Sequence, residues 1–322
     1  MALIRAVRAY FDGQGFAEVD TPALQACPAM DLHIHAFATE IKGVDLQPKG
    51  TLYLHTSPEF AMKKLLVAGL PRLYQICHVY RNAEGSRLHS PEFTMIEWYR
   101  AGADYTAIME DCKGLLRACA TALGIGHYRH KGMKCDPFAE WKTVTVEQAF
   151  RHYAGLELRA FLPERTEEFR AAIAGKGIRV APDDSWDDLF FRVMAEKIEP
   201  FLGREAPAIL CDYPVSMASL SRRKPGDPLL AERFELYVCG IELANAFSEL
   251  TDAAEQRARF AEEMARKREI YGEVYPADED FFAALDFGMP ESGGIALGID
   301  RLVMLACGAD AIEDVLWTAP PG

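Results

Sequence analysis

No Cys-x-x-Cys pair occurs anywhere in the chain, and its eight cysteines (27, 77, 112, 119, 135, 211, 239, 307) are scattered. In 322 residues that spacing argues against a disulfide framework or a zinc site and predicts reduced, cytosolic thiols. No apolar run approaches the roughly 18–20 residues that span a bilayer, so no membrane association is expected. The N-terminal stretch MALIRAVRAYFDGQG is amphipathic and lacks the continuous apolar core of a signal peptide. Positive charge is also short: 35 Lys and Arg stand against 48 Asp and Glu, a net charge of −13. No basic tract is longer than Ser221-Arg222-Arg223-Lys224. Binding to long nucleic acids is driven by neutralising phosphates, so this balance disfavours it. A small-molecule ligase, or one with a basic protein surface as partner, fits better. The Ser221–Lys224 loop is a candidate local docking patch. Neither GxxxxGK[ST] nor GxGxxG is present, and there is no internal repeat or low-complexity linker.

What is present is an ordinary globular composition, half hydrophobic and a quarter charged, long enough for a sizeable core. Leu3, Ile4, Val7 and Phe11 fall at helical spacing. Gly13 and Gly15 stop that helix, and a short strand follows at 16–19. Thr56-Ser57-Pro58-Glu59 reads as a helix start, a hydroxyl cap and then proline in the first turn. Residues 72–80 and 92–99 read as strands joined by a polar loop. A helix is predicted over 105–123, irregular chain over 124–142, and helical segments over roughly 145–200. Strands resume at 208–212 and 233–249, a helix follows at 252–270, and a strand-helix unit ends the chain. Hairpin-joined strands predict a mainly antiparallel sheet flanked by helices, an α+β fold. Candidate site parts lie at both ends of the chain, so residues 1–322 are expected to form one domain with a helical insertion near 145–200.

Three segments carry the chemistry. In RNAEGSRLHSPEFTMIEWY, residues 81–99, Arg81 sits at a strand end, where its guanidinium suits a carboxylate and a phosphate together. In the returning strand Phe93, Met95, Glu97 and Tyr99 share one face. That mixture suits a base stacked on Phe93, with Glu97 and Tyr99 meeting polar groups. In GGIALGIDRLVML, residues 293–305, Arg301 lies in the first turn of an apolar helix. A cation there opposes the helix dipole by a few tenths of a kcal/mol up to about 1, and a terminal phosphate would remove the conflict. Gly293, Gly294 and Gly298 weaken a strand unless its backbone approaches a ligand. In RFELYVCGIELANAFSEL, residues 233–250, the Val238-Cys239-Gly240 turn could fold Glu235 against Glu242. Paired carboxylates without histidine or cysteine suit magnesium better than zinc. Asn245, Phe247 and Glu249 share a parity that Glu242 does not. Either the strand bulges or the two sets face differently. His33 and His35 form a His-x-His pair without an evident third ligand, which favours a structural role.

The loop-and-strand pair resembles motif 2 of the class II aminoacyl-tRNA synthetases, and the glycine-rich strand-to-helix segment resembles motif 3. Over nearly the whole chain, from Pro22 through TSPEFAMKKLLVAG to the end, the sequence is similar to the lysyl-tRNA synthetase catalytic domain. The anticodon-binding β-barrel that precedes that domain in the bacterial synthetase is expected to be absent. Stand-alone members of this kind adenylate (R)-β-lysine and attach it to a lysine of elongation factor P. The resemblance therefore implies ATP as substrate, Mg2+, elongation factor P as acceptor, no use of tRNA, and a homodimer. It places carboxylate and α-phosphate binding on Arg81, γ-phosphate binding on Arg301, and adenine stacking on Phe93. Asn82, Ala83, Glu84, His89, Glu242, Leu243 and Gly298 complete the ATP site, and Glu235 and Glu242 hold the metal. The amino-acid pocket falls on Ser57, Glu59, Tyr99, Asn245, Glu249 and Ala296. Glu59 would meet the amine nearer the reacting carboxylate; Tyr99 and Glu249 would meet the distal ammonium. Alanine at 296 is the residue of the β-lysine ligases, where the synthetase has glycine. Two positions depart from the family: Ala83 stands where glutamate is expected, with Glu84 as its substitute, and Ala246 stands where glycine is usual. A free-standing activator loading another carrier, or an inactive synthetase-like regulator, are the alternatives.

Overall fold

The structure, a computed structural model, describes residues 1–28 and 30–318. The chain opens with helix α1 (Ala2–Gly13) and strand β1 (Ala17–Glu18), then a small exposed sheet of β2 (Leu24–Gln25), β3 (Ala38–Lys42) and β4 (Pro48–Leu54). Helix α2 (Glu59–Val67) leads into β5 (Arg72–Tyr80), β6 (Glu92–Ala101) and helix α3 (Tyr105–Leu123). The segment expected to be irregular contains a short hairpin, β7 (Tyr128–His130) with β8 (Met133–Cys135). After β9 (Lys142–Thr145) come α4 (Val146–Ala149), α5 (Thr166–Ala174) and α6 (Trp186–Val193), among shorter helical turns. Strands β10 (Ala208–Pro214), β11 (Arg223–Lys224), β12 (Asp227–Val238) and β13 (Ile241–Ser248) precede α7 (Ala253–Tyr271) and α8 (Glu279–Gly288). Strand β14 (Ser292–Gly298) and helix α9 (Ile299–Cys307) close the fold.

Among the described residues, nine strands form the main sheet, in the order β1-β5-β6-β14-β13-β12-β10-β9 with β11 beside β12. Only the two outer pairs, β1 with β5 and β9 with β10, are parallel; the rest are antiparallel, as the hairpins predict. Alternation then sorts the sheet into two faces. One carries Tyr74, Ile96, Trp98, Ile295, Leu297, Phe234 and Leu236, all buried against α1, α3 and α9. These aromatic and branched side chains each contribute about 1.5–3 kcal/mol on burial, and they fix the register.

Helix ends follow local chemistry. Asp104 caps α3 by accepting from Thr106 N and Ala107 N, and Gly124 ends it in the left-handed conformation. The start of α2 differs from expectation. Pro58 itself is the N-cap, and the Ser57 hydroxyl accepts the Glu59 N–H one residue early, at 3.0 Å. Ser57 is thereby free to donate to Glu97 across the other face of the sheet, at 2.6 Å.

Candidate active site

The second face of the sheet builds the site. Cross-strand register aligns Glu97 on β6 with Ala296 on β14, Ala296 with Asn245 on β13, and Asn245 with Glu235 on β12. The next row holds Tyr99, Gly294, Phe247 and Arg233. Residues about 200 apart in sequence thus become neighbours about 5 Å apart. The parity problem of Glu242 is settled by a bulge. Leu236 pairs with Ala244 but Tyr237 with Glu242, so Leu243 is the extra residue and Glu242 turns to the cavity side. Cys239 and Gly240, both at positive φ, make the two-residue turn that folds the hairpin.

One cavity collects most of the expected residues. Its wall includes Ser57, Glu59, Arg81, Glu84, His89, Phe93, Tyr99, Glu242, Leu243, Asn245, Ala296, Gly298 and Arg301. Asn82, Ala83, Glu235 and Glu249 stand off that wall. Asn82 accepts the Ala83 N–H, and Ala83 adopts a left-handed φ of 61°. Glu84, the neighbouring acid, is on the wall with its carboxylate 3.8 Å from Arg81 Nη1. Ala246 is fully buried on the opposite face, against the apolar core, so that departure does not touch the cavity.

At one end of the cavity are the two arginines. Arg81 lies 5.3 Å from the Phe93 ring centroid. Arg301 donates to the carbonyls of Leu88, at 3.3 Å, and Glu242, at 2.7 Å. These acceptors already offset part of the helix-dipole conflict expected at this position, before any phosphate binds. Arg301 also donates to His89 Nε2 at 2.7 Å. Burial first, and then Arg301, lowers the His89 pKa, which keeps the imidazole neutral and able to accept.

The other end is acidic. Glu97 accepts from Ser57 and from Tyr99, the latter at 3.0 Å, and burial pushes it up to about 8. Burial likewise pushes Glu249 up to about 8, against the pull of Lys63. Lys63 Nζ is ion-paired to both Glu59 and Glu249, 2.5 Å from Glu249 Oε2. Burial opposes the Lys63 charge, but Glu249 and Glu59 together outweigh it and raise its pKa. Among the described residues, Glu249 Oε1 is buried without a hydrogen-bond partner. Gly294 is required here, since a Cβ would overlap Glu249 Oε1 and the Tyr99 ring.

Lys63 and Arg233 were missed by sequence reasoning. Arg233 had a signal, its strand parity with Glu235, whereas Lys63, one helical turn after Glu59, looks like an ordinary exposed pair. Arg233 donates to Asn245 Oδ1 at 3.0 Å, to Glu235 at 2.7 Å and to the Met217 carbonyl. Glu235 also accepts from Tyr237 at 2.6 Å, so both its oxygens are engaged. The His-x-His pair is structural, His33 bonding Tyr271 and His35 bonding Glu273, each at 2.8 Å. The basic loop is not a free patch. Arg222 pairs with Glu232 and Glu291, Arg223 with Glu255, and Lys224 with Asp212.

Among the described residues, no group of three or more His, Cys, Asp or Glu side chains is arranged to hold a metal ion. A magnesium ion on a polyphosphate needs fewer protein ligands, because phosphate oxygens and water complete its shell. Burial and then Glu235 push Glu242 up to about 7, and burial, Glu235 and Glu242 push Glu199 up to about 7. Glu235 already has Arg233 as its cation, but among the described residues Glu242 and Glu199 have no ion pair, and their hard oxygens suit Mg2+.

The family description "tRNA synthetases class II (D, K and N)" matches residues 1–318. The chain belongs to this family. Within it, the chain is 40% identical over 316 residues to the lysine–tRNA ligase of Pelotomaculum thermopropionicum, covering 98% of this chain and 61% of that protein. It is 39% identical over 315 residues to the elongation factor P–(R)-beta-lysine ligase of Vibrio cholerae, covering 97% of this chain and 91% of that protein. The corresponding ligase of Edwardsiella ictaluri is 38% identical over 316 residues, covering 98% and 92%. The chain thus spans less than two thirds of the synthetase's length and nearly all of each ligase's. The mainly antiparallel sheet with flanking helices is the class II synthetase fold. No helix of the described residues is long and apolar enough to cross a membrane.

Proposed function

We propose that the chain activates (R)-β-lysine with ATP and transfers it to a lysine side chain of elongation factor P. The observation that carries this reading is the cavity's polarity. Arg81 and Arg301 stand at one end, Arg233 is paired with Glu235, and at the other end Glu59 and Glu249 share a single internal ammonium, Lys63, with Glu97 on the same acidic wall. That imbalance suits a substrate with one carboxylate and two ammonium groups, since an unpaired buried charge is costly. The ligase relatives, nearly coextensive with this chain, are named for that reaction.

The substrate carboxylate attacks the α-phosphorus, the bond to the bridging oxygen breaks, and pyrophosphate leaves. Arg81 orients the carboxylate and α-phosphate, Phe93 stacks the adenine, and Arg301 takes the terminal phosphate. Preorganised cations of this kind stabilise charge developing in the transition state. Glu242, with Glu235, would hold Mg2+, which neutralises polyphosphate charge when bound. The uncharged amine of the acceptor lysine then attacks the adenylate carbonyl and AMP leaves, so no covalent enzyme intermediate is needed. Residues 1–322 act as one catalytic domain, the enzyme works as a cytoplasmic homodimer, and tRNA is not an acceptor. The net charge of −13 and the internally paired basic loop support that last point.

Pyrophosphate exchange with a panel of amino acids, followed by transfer to purified elongation factor P or bulk tRNA, tests the reading. Exchange with (R)-β-lysine and transfer to the protein is the expected result. Efficient tRNA charging without protein transfer overturns it. Ala296→Gly should shift preference toward α-lysine by about several-fold to tenfold, the worth of one methyl at a pocket wall. An unchanged ratio of kcat/KM values would remove Ala296 from the specificity argument.

Substrate binding should also release protons. Glu97, raised to about 8 and without an ion pair among the described residues, is largely protonated at neutral pH, whereas an ammonium pairs with the ionised form. Affinity should therefore rise from pH 6 toward pH 8. Calorimetry at pH 7 in two buffers of different ionisation enthalpy reads the released protons directly. Identical heats in both buffers would contradict this protonation pattern.

A further inference from the structure

Asp31 lines the same cavity as Glu59 and Arg81. Nothing in the sequence singled it out. Its side chain is exposed, and among the described residues its carboxylate has no hydrogen bond or ion pair. The other acids of this end differ. Glu59 and Glu249 share Lys63, and Glu97 is held by Ser57 and Tyr99. Asp31 is nonetheless close enough to act on the pocket. Burial raises the Glu59 pKa, Lys63 lowers it, and the Asp31 charge adds to the rise.

The backbone around Asp31 is held firmly. Lys267 on α7 is fully buried and donates to the carbonyls of Leu32, at 2.8 Å, Ile34, at 2.7 Å, and Asp31, at 3.4 Å. His33 and His35 are tied to Tyr271 and Glu273, and the Ala36 N–H donates to the Tyr275 hydroxyl at 2.8 Å. An ammonium spent on three carbonyls fixes the backbone from which the Asp31 side chain projects. A carboxylate on a fixed backbone, left without an ion pair of the chain's own among the described residues, is available to an external cation.

From this placement we infer that Asp31 is a specificity-determining residue, which together with Glu59 binds the substrate ammonium nearer the reacting carboxylate. The inference rests on the proposed function and adds a residue to it. Glu59 alone is half-satisfied by Lys63, so a second acid is needed at this end. A second carboxylate on the wall with Glu59 gives an amine displaced by one carbon another acid to reach. Lys267 is the positioning residue behind it.

The test compares wild type, Asp31→Asn and Asp31→Glu in pyrophosphate exchange with (R)-β-lysine and with α-lysine, alongside calorimetric binding of each amino acid without ATP. Asp31→Asn should raise KM for (R)-β-lysine by about tenfold or more, the cost of a lost charge-assisted contact. The KM for ATP should stay within about twofold, and the effect on α-lysine should be smaller. Asp31→Glu should restore part of the loss. The substitution is on an exposed side chain, so an unchanged thermal midpoint is expected and separates binding from folding. Equal KM changes for both amino acids, or a change under about twofold for (R)-β-lysine, overturn the assignment while leaving the proposed function intact. If wild type neither binds nor activates a diamino acid, the proposed function and this assignment fall together.

Discussion

Arg301→Ala is expected to slow amino-acid-dependent pyrophosphate exchange by about a hundredfold or more, because one preorganised cation on the departing pyrophosphate, the role proposed for Arg301, is worth that much. The loss should fall on kcat more than on the KM for the amino acid, whose pocket lies at the other end of the cavity. The guanidinium also bridges the Leu88 and Glu242 carbonyls, so the loop after β5 loses a tie to β13. A stability loss of about 1–3 kcal/mol should accompany the kinetic one, as for other hydrogen bonds from a charged group. Arg301→Lys keeps the charge but cannot reach both carbonyls and a phosphate, and should recover only part of the rate. Exchange near the wild-type rate in Arg301→Ala would move the terminal phosphate elsewhere.

Lys63→Met should be the most destabilising of the substitutions considered. It leaves Glu59 and Glu249 buried without their shared cation, and breaking a buried pair in this way costs about 3–5 kcal/mol. The cost should depend on pH in a defined direction. Burial already raises both carboxylates, and removal of Lys63 raises them further. The folded state then holds protons that the unfolded chain has released above its ordinary carboxylate pKa of about 4.5. Stability of the variant should fall as pH rises from there through 8, and the deficit relative to wild type should shrink toward pH 5. Denaturant midpoints at pH 5.5, 7 and 8.5 measure it. A deficit that is the same at all three would show that the carboxylates are not the cause.

Much of the site is legible in the sequence because its residue types are wrong for the elements that carry them. An arginine opening an apolar helix, glycines inside a strand, and a glutamate on the face of β6 each conflict with local preference unless a ligand is present. Arg301 and Glu97 do line the cavity, whereas Gly294 makes room for Glu249 and the Tyr99 ring rather than for a ligand. Lys63 gave no such signal, because a lysine four residues after a glutamate is what an exposed helix face looks like. Only the packing of α2 against Glu249 made it a buried counter-ion. The basic loop misled for the converse reason. Arg222, Arg223 and Lys224 look free in sequence, but acids from β12, α7 and β10 consume them.

The sequence by itself determined the two faces of the sheet, the mainly antiparallel pairing and the two arginine-bearing motifs that line the cavity, because alternation and turn chemistry act over a few residues. Tertiary structure alone decided which acids keep a free charge. Whether Glu242 faces the cavity depended on one bulged residue, Leu243, set by how β12 and β13 pair. Whether Glu59, Glu249 and Asp31 are satisfied depended on cations that arrive from elsewhere in the fold or, for Asp31, do not come within pairing distance. Charge compensation acts through space at a few ångströms, and sequence separation carries no information about it.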